Sequence, residues 1–278
     1  MDSVNTGKQM KDNGIFKVMT FNLKCEGRPD RMNSWNHRKQ RVMDFIDSIN
    51  PDILGTQELS PHMKEDVKSS LLSYSIFGWG RKRNLQGEHS DILVNNGEVT
   101  VLDSKTFWLS RTPEIPGSKS FFTPFPRVCT MAEVYMKRFD RRVRIFNTHL
   151  DHIYPFMRTR GILTILKYIN DYDERERLPV VLMGDFNASP ASMTLKMLKA
   201  GLHSYTNIKL RDVYAFCKKN YIVTNTFHSF KGKVNKRLLD YIFVSEELDI
   251  HNVVVDKTND NGLYLSDHYP VIAELAFR

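Results

Sequence analysis

Short apolar runs of strand character alternate with helix-spaced segments from one end of the chain to the other, and nearly every run stops on an acid, an amide or a histidine. Phe16 to Leu23 (FKVMTFNL) reads as a strand, Val42, Phe45, Ile46 and Ile49 fall at helical spacing within Arg38 to Ile49, and Asp52 to Thr56 is a short apolar strand again. That is a strand, helix, strand unit. A second helix is expected from Ser60 to Leu72, with Ser60 as its cap and Pro61 in its first turn.

Between Ser73 and Leu150 the helical period disappears. The segments YSIFGW, DILVN, VTVLDSKTFWL, VCTMAEVYM and VRIFNTHL predict strands joined by Gly, Asn and Asp turns, paired antiparallel, with a long loop from Pro113 to Pro126. Helices return at about Phe156 to Asn170 and Ser192 to Lys199, on either side of a strand at Pro179 to Met183. Three strands, TFHSF, LLDYIFV and PVIAELAF, are expected to close the chain. No repeat, low-complexity tract or linker divides it, so residues 1–13 are expected to be a flexible tail and 14–278 one domain with mixed sheets and helices outside.

Other classes are disfavoured by what the sequence lacks. There is no apolar signal region at the start and no run near the roughly 18 apolar residues that would span a bilayer. Cys25, Cys129 and Cys217 are odd in number and far apart, which indicates neither a disulfide framework nor a thiolate zinc site. A cytoplasmic, monomeric protein is the expectation. The formal net charge of +8 draws anions, phosphate-bearing ones included. A serine-hydrolase elbow, a phosphate-binding P-loop and an H-E-x-x-H zinc motif are all missing.

The strand-end residues are Asn22, Gln57, Glu58, Asn147, His149, Asp151, Asp185, Asn187, His228, Asp240, Asp267 and His268. Any one of them is an ordinary turn former or cap. Together they supply what a hard divalent cation and a phosphate require, because Mg²⁺ prefers carboxylate and carbonyl oxygen. The set points to a metal-assisted hydrolase.

The order of motifs, N-x-K after the first strand, then QE, N-x-H-x-D, GDFN, LDYI and SDHYP, resembles the endonuclease/exonuclease/phosphatase superfamily, the deoxyribonuclease I-like proteins. Segments around TFWLS, PEIPGSKS and TFHSFKG are similar to a bacterial branch of it. The resemblance implies an α/β four-layer sandwich, two mixed β-sheets packed face to face with helices on both outer faces, and one Mg²⁺ or Mn²⁺ site at the common end of the sheets. It implies Glu58 as main metal ligand with Asn22 and Asp267 beside it. Asp185 would orient and deprotonate the attacking water, with Asn187 holding water or a phosphate oxygen. Asp240 and His268 would form a carboxylate–imidazole pair that stabilises charge on phosphate, with His149 as the second histidine.

Asn147, Arg127 and His228 are the candidates for substrate contact. Arg127 should leave the site end of its strand. His228 has two readings, a site residue or a packed core residue, while His152 and Gln57 are second-line partners and Arg160 is a phosphate contact or a surface arginine. The basic run MKRFDRRVR is expected at a solvated hairpin turn, and Trp79 and Trp108 in the core. A cation-rich loop, Lys231, Lys233, Lys236 and Arg237, precedes Asp240. Three functions follow: a phosphodiesterase or nuclease first, then a hydrolase of a small or lipid-borne phosphate, then a binding protein that lost turnover.

Overall fold

A computed structural model describes residues 14–26, 32–200, 207–217, 225–232 and 237–278; the tail before residue 14, Lys233 and Lys236 lie outside the described residues. In chain order come β1 (Phe16–Asn22), α1 (Trp35–Ile49), β2 (Ile53–Gln57), α2 (Pro61–Ser70), β3 (Tyr74–Phe77) and β4 (Ile92–Asn95). Next are β5 (Val99–Trp108), β6 (Val128–Met136), β7 (Arg141–His149), α3 (Pro155–Asp173), β8 (Val180–Asp185) and α4 (Met193–Lys199). Last are β9 (Leu210–Asp212), β10 (Asp240–Ser245), β11 (Leu248–Val255), the pair β12 (Asn259–Asp260) and β13 (Leu263–Tyr264), and β14 (Val271–Phe277).

The strands form two six-stranded mixed sheets, ordered β11-β14-β1-β2-β4-β3 and β5-β6-β7-β8-β10-β9. Each has one parallel pair, β1 with β2 across α1 and β7 with β8 across α3. Parallel neighbours need such a crossover, and the helix it contains covers the sheet.

The period-2 alternation of the central strands makes the layers. Phe16 and Val18 of β1, Ile53 of β2, Val143 and Ile145 of β7, Val181 and Met183 of β8, and Ile242 and Val244 of β10 share one core between the sheets. The intervening residues face outward. Met19, Phe21 and Leu54 pack with Trp35, Val42 and Ile46 of α1 and Met63 and Val67 of α2. Leu182 and Phe243 pack on the other side with Ile162 and Ile165 of α3 and Leu195 of α4. The expected four-layer α/β sandwich is therefore what these side chains build.

Carried one step further, the same alternation turns Asn22, Gln57, Asn147, His149, Asp185 and Asp240 toward the inter-sheet layer at its end. The polar termini of the strands are gathered by the pleat alone.

Some expectations needed correction. TFHSF is no strand: Phe227 makes a single bridge to His268, and Ser229 and Phe230 have positive φ of 52° and 57°, so the chain turns away. Strand β11 has no clean alternation in the sequence because a register shift at Ile250/Asn252 breaks it. Trp79 is 56% exposed, since Gly78 at φ 139° redirects the chain after β3, while Trp108 is buried as expected. The basic run is a hairpin turn but is largely ion-paired: Arg138 meets Asp52 and Glu98, and the buried Arg144 meets Glu133. No helix among the described residues is long and apolar enough to cross a membrane.

Candidate active site

Strand register builds the first wall of the site. His149 pairs with Asp185, and Asp185 pairs with Asp240, so three strands place their last inward side chains on one rung. Gly184 makes this possible. It sits at φ 142°, and a Cβ there would come within 1.9 Å of the Thr148 carbonyl oxygen. Asn187, at φ 47°, then turns back so that its N–H donates to Asp185 Oδ1 at 2.8 Å. The GDFN sequence is thus a strand end folded around its own carboxylate.

His268 faces this rung from the loop before β14. Its Nδ1 is 2.8 Å from Asp240 Oδ2 and its Nε2 3.7 Å from Asp185 Oδ2. Burial disfavours the imidazolium, but Asp240 and then Asp185 outweigh it and push the ring up to about 10. Burial and the neighbouring Asp240 push the Asp185 carboxyl up to about 7, against the pull of His268 and the N–H donors around it.

His149 behaves in the opposite way. Burial, and then Arg127, hold its imidazole well below the ordinary histidine range. The Asn187 amide nitrogen donates to the Leu150 carbonyl at 3.2 Å and lies 2.9 Å from His149 Nε2, so Nε2 is the accepting nitrogen and the proton sits on Nδ1. His149 therefore holds Asn187 in place through an accepting Nε2.

The second sheet-end contributes Asn22, Glu58 and Asp267. Asn22 Nδ2 donates to Glu58 Oε1 at 3.1 Å and to Asp185 Oδ2 at 3.0 Å, linking the two sheets. Glu58 follows β2 at a left-handed φ of 58°, and its Oε2 accepts from the Cys25 N–H at 3.1 Å. Burial works against its charge, yet its neighbours, His149 first and then Lys24 and His268, hold the carboxyl well below the usual range. The Lys24 ammonium stands between Glu58 Oε2 at 3.6 Å and Asp267 Oδ2 at 3.7 Å.

Under this loop lies Arg38, a functional residue the sequence reading missed. Buried on α1, it donates to the carbonyls of Leu23, Lys24 and Leu265, and so ties the Asn22 and Asp267 loops together. A signal was present: Arg38 continues the apolar stripe of Val42 and Phe45, where a charge must have buried partners.

These groups close a cavity of about 430 Å³. Arg127 is in its wall, as expected, with an N–H to His152 Nδ1 at 2.8 Å and a buried Nε that has no partner. Arg237 lines it too, its guanidinium 4.7 Å over the Phe227 ring. Asn147 does not. Its amide donates to the carbonyls of Thr56 and Asp91 and accepts from Gln57, one step deeper than His149, so it braces the sheets. His228 is also packed away, stacked 3.9 Å from Tyr269. Lys231 and Arg160 are not in the wall, whereas Arg81, Glu88 and Phe125, which sequence reading passed over, are.

Two clusters among the described residues come into question for a divalent ion. Asp185, Asp240 and His268 converge within 4.8 Å, but His268 spends Nδ1 on Asp240 and carries a proton on the ring, and an imidazolium is not a ligand. Glu58 and Asp267 already face a shared cation, the Lys24 ammonium, so their carboxylate oxygens suit a hard ion, while Asn22, whose Nδ2 donates to Glu58 and whose Oδ1 accepts from the Lys24 N–H at 3.0 Å, orients the Glu58 carboxylate.

The fold is that of the deoxyribonuclease I-like class. The chain belongs to the Endonuclease/Exonuclease/phosphatase family, whose model matches residues 19–268. It is 27% identical to an endonuclease/exonuclease/phosphatase from Bacteroides vulgatus, with a TM-score of 0.85 over 95% of this chain and 99% of that one. It is 28% identical, with the same TM-score of 0.85, to the mannosyl-6-phosphatase Bt3783 of Bacteroides thetaiotaomicron, over 94% and 100% of the two chains. The uncharacterized protein L388 of Acanthamoeba polyphaga mimivirus is 26% identical, over 86% of this chain and 91% of its own. Family members are hydrolases of phosphate esters and generally depend on a divalent metal.

Proposed function

We propose that the protein is a divalent-metal-dependent phosphomonoesterase acting on a small phosphorylated polyol or sugar. The observation that carries this reading is the cavity of about 430 Å³, whose wall holds Asp185, His268 and Arg127 together. Such a recess suits a terminal phosphate dianion on a compact leaving group. The similarity to a mannosyl-6-phosphatase, at 28% identity over nearly all of both chains, supports the monoester over the nuclease reading.

Glu58 and Asp267 would hold the ion, Mg²⁺ or Mn²⁺, with Asn22 orienting the Glu58 carboxylate; when bound the ion supplies charge neutralisation at the phosphoryl oxygens. Asp185 orients water and takes its proton as the new oxygen–phosphorus bond forms and the ester oxygen–phosphorus bond breaks in line, the leaving alkoxide taking a proton from solvent water. A carboxylate raised toward neutrality is a better base than an ordinary one. The His268 Nε2–H donates to a non-bridging phosphoryl oxygen, with Asp240 fixing the ring through Nδ1. Asn187, whose amide N–H groups are spent on His149 and the Leu150 carbonyl, keeps its Oδ1 to accept from the attacking water.

Release of phosphate from mannose 6-phosphate, p-nitrophenyl phosphate, bis-p-nitrophenyl phosphate and a single-stranded oligonucleotide, with Mg²⁺ present, tests the proposal. The monoesters should turn over fastest. Faster cleavage of the diester or the oligonucleotide would restore the nuclease reading.

A further inference from the structure

Part of the cavity wall takes no part in the steps above. Arg81 and Glu88 face each other there, NH1 to Oε2 at 2.8 Å and NH2 to Oε1 at 2.6 Å, a forked pair in which both partners line the cavity. The segment that carries them is closed by its own backbone: Gly80 N–H to Leu85 O, Arg81 N–H to Glu88 O and Lys82 N–H to Gln86 O, at 2.9, 3.1 and 2.9 Å. The Trp108 indole N–H holds the Arg81 carbonyl at 2.7 Å. With the loop already fixed in these ways by its backbone and by Trp108, the ion pair is not needed to close it.

What the pair does present is a paired array. Each carboxylate oxygen keeps a free lone pair, and the guanidinium keeps N–H groups beyond the two it spends on Glu88. Two adjacent hydroxyls, each able to donate to the carboxylate and accept from the guanidinium, match that array. A phenyl leaving group offers no such pair of hydroxyls. Phe125 lies under the guanidinium at 4.8 Å and adds an apolar surface for ring carbons. Burial also raises the Glu88 carboxyl above its ordinary range, as expected of a carboxylate set in a wall to meet a neutral donor.

We propose that Arg81 and Glu88 form the leaving-group subsite and hold adjacent hydroxyls of the phosphorylated polyol or pyranose. This rests on the phosphomonoesterase reading and names what that site selects.

Binding is measured by calorimetry with Mg²⁺ in an Asp185→Asn background, where turnover is slow, using mannose 6-phosphate and inorganic phosphate as probes. Mannose 6-phosphate should bind more tightly than phosphate. Glu88→Gln should lower the mannose 6-phosphate affinity about tenfold or more relative to the phosphate affinity, because a hydroxyl site left unpaired discriminates strongly. Arg81→Lys should do the same, since a single ammonium cannot keep the fork, and it supplies the reading if Glu88→Gln does not fold. Equal losses for both probes, no loss, or mannose 6-phosphate binding no tighter than phosphate would overturn the subsite. Tight, Glu88-dependent binding in a parent enzyme that releases no phosphate would instead overturn the phosphomonoesterase reading and leave the subsite standing.

Discussion

The two walls of the cavity are made by different means. One is a row of strand ends, His149 and Asp185 with Asp240 behind them, held in register by the backbone ladder and linked to Glu58 through Asn22. The other is made of loops, with Arg81 and Glu88 on one and Phe125 and Arg127 on another. Ladder geometry is fixed by many cooperative hydrogen bonds, so the reacting groups inherit the rigidity of the sheets. Loop geometry is fixed by local turns, which change without disturbing the core. The difference teaches where chemistry and selectivity are stored: substitutions in the strand wall should lower turnover, and substitutions in the loop wall should change binding.

The sharpest break in that comparison comes from Asp185→Asn, which keeps the shape and removes the base. Turnover should fall roughly 10²- to 10⁴-fold with little change in melting temperature, as general-base losses do. Arg38→Met comes next and acts beneath both loops that carry the metal set. It leaves the carbonyls of Leu23, Lys24 and Leu265 without their donor while relieving the desolvation of a buried charge. A net destabilisation of about 2 kcal/mol is expected in a urea melt, along with weaker Mn²⁺ binding. A variant as stable as the parent would show that the loops do not need this tie.

Arg127→Ala tests the loop wall. Loss of its charge-assisted donors should raise KM about tenfold and lower kcat much less, whereas an equal fall in kcat would move Arg127 into the reacting wall. The smallest effect is expected at Lys24. Removing its ammonium from between Glu58 and Asp267 with Lys24→Met should tighten Mn²⁺ binding a few-fold in calorimetry, because two carboxylates lose a competing cation. Weaker binding would mean that the ion sits elsewhere.

The strand wall was legible in the sequence, whereas of the loop wall only Arg127, just ahead of a strand, was. A strand that alternates apolar residues between two faces and ends on Asp or Asn announces where its last side chain points, which is why Asn22, Asp185 and Asp240 were picked out. The same rule placed Asn147 in the substrate set, but parity does not give depth, and Asn147 lies one pleat too far in. Glu88 and Arg81 meet only because a turn with Leu85 at φ 62° doubles the chain back, and nothing in the residue spacing reports that. Trp79 was assigned to the core because its strand pattern continues past Gly78 on paper, while the backbone at that glycine does not.

The most direct measurement is phosphate release from mannose 6-phosphate by the parent protein and by Asp185→Asn, each stripped with EDTA and then supplied with Mg²⁺. The expected result is no release from stripped parent, restored release on adding Mg²⁺, and at least a hundredfold slower release from Asp185→Asn at any Mg²⁺ concentration, roughly the lower bound for a lost general base. Release that persists in excess EDTA, or an Asp185→Asn protein within a few-fold of the parent, would contradict the assignment of the strand wall as the reacting wall of a metal-dependent phosphomonoesterase.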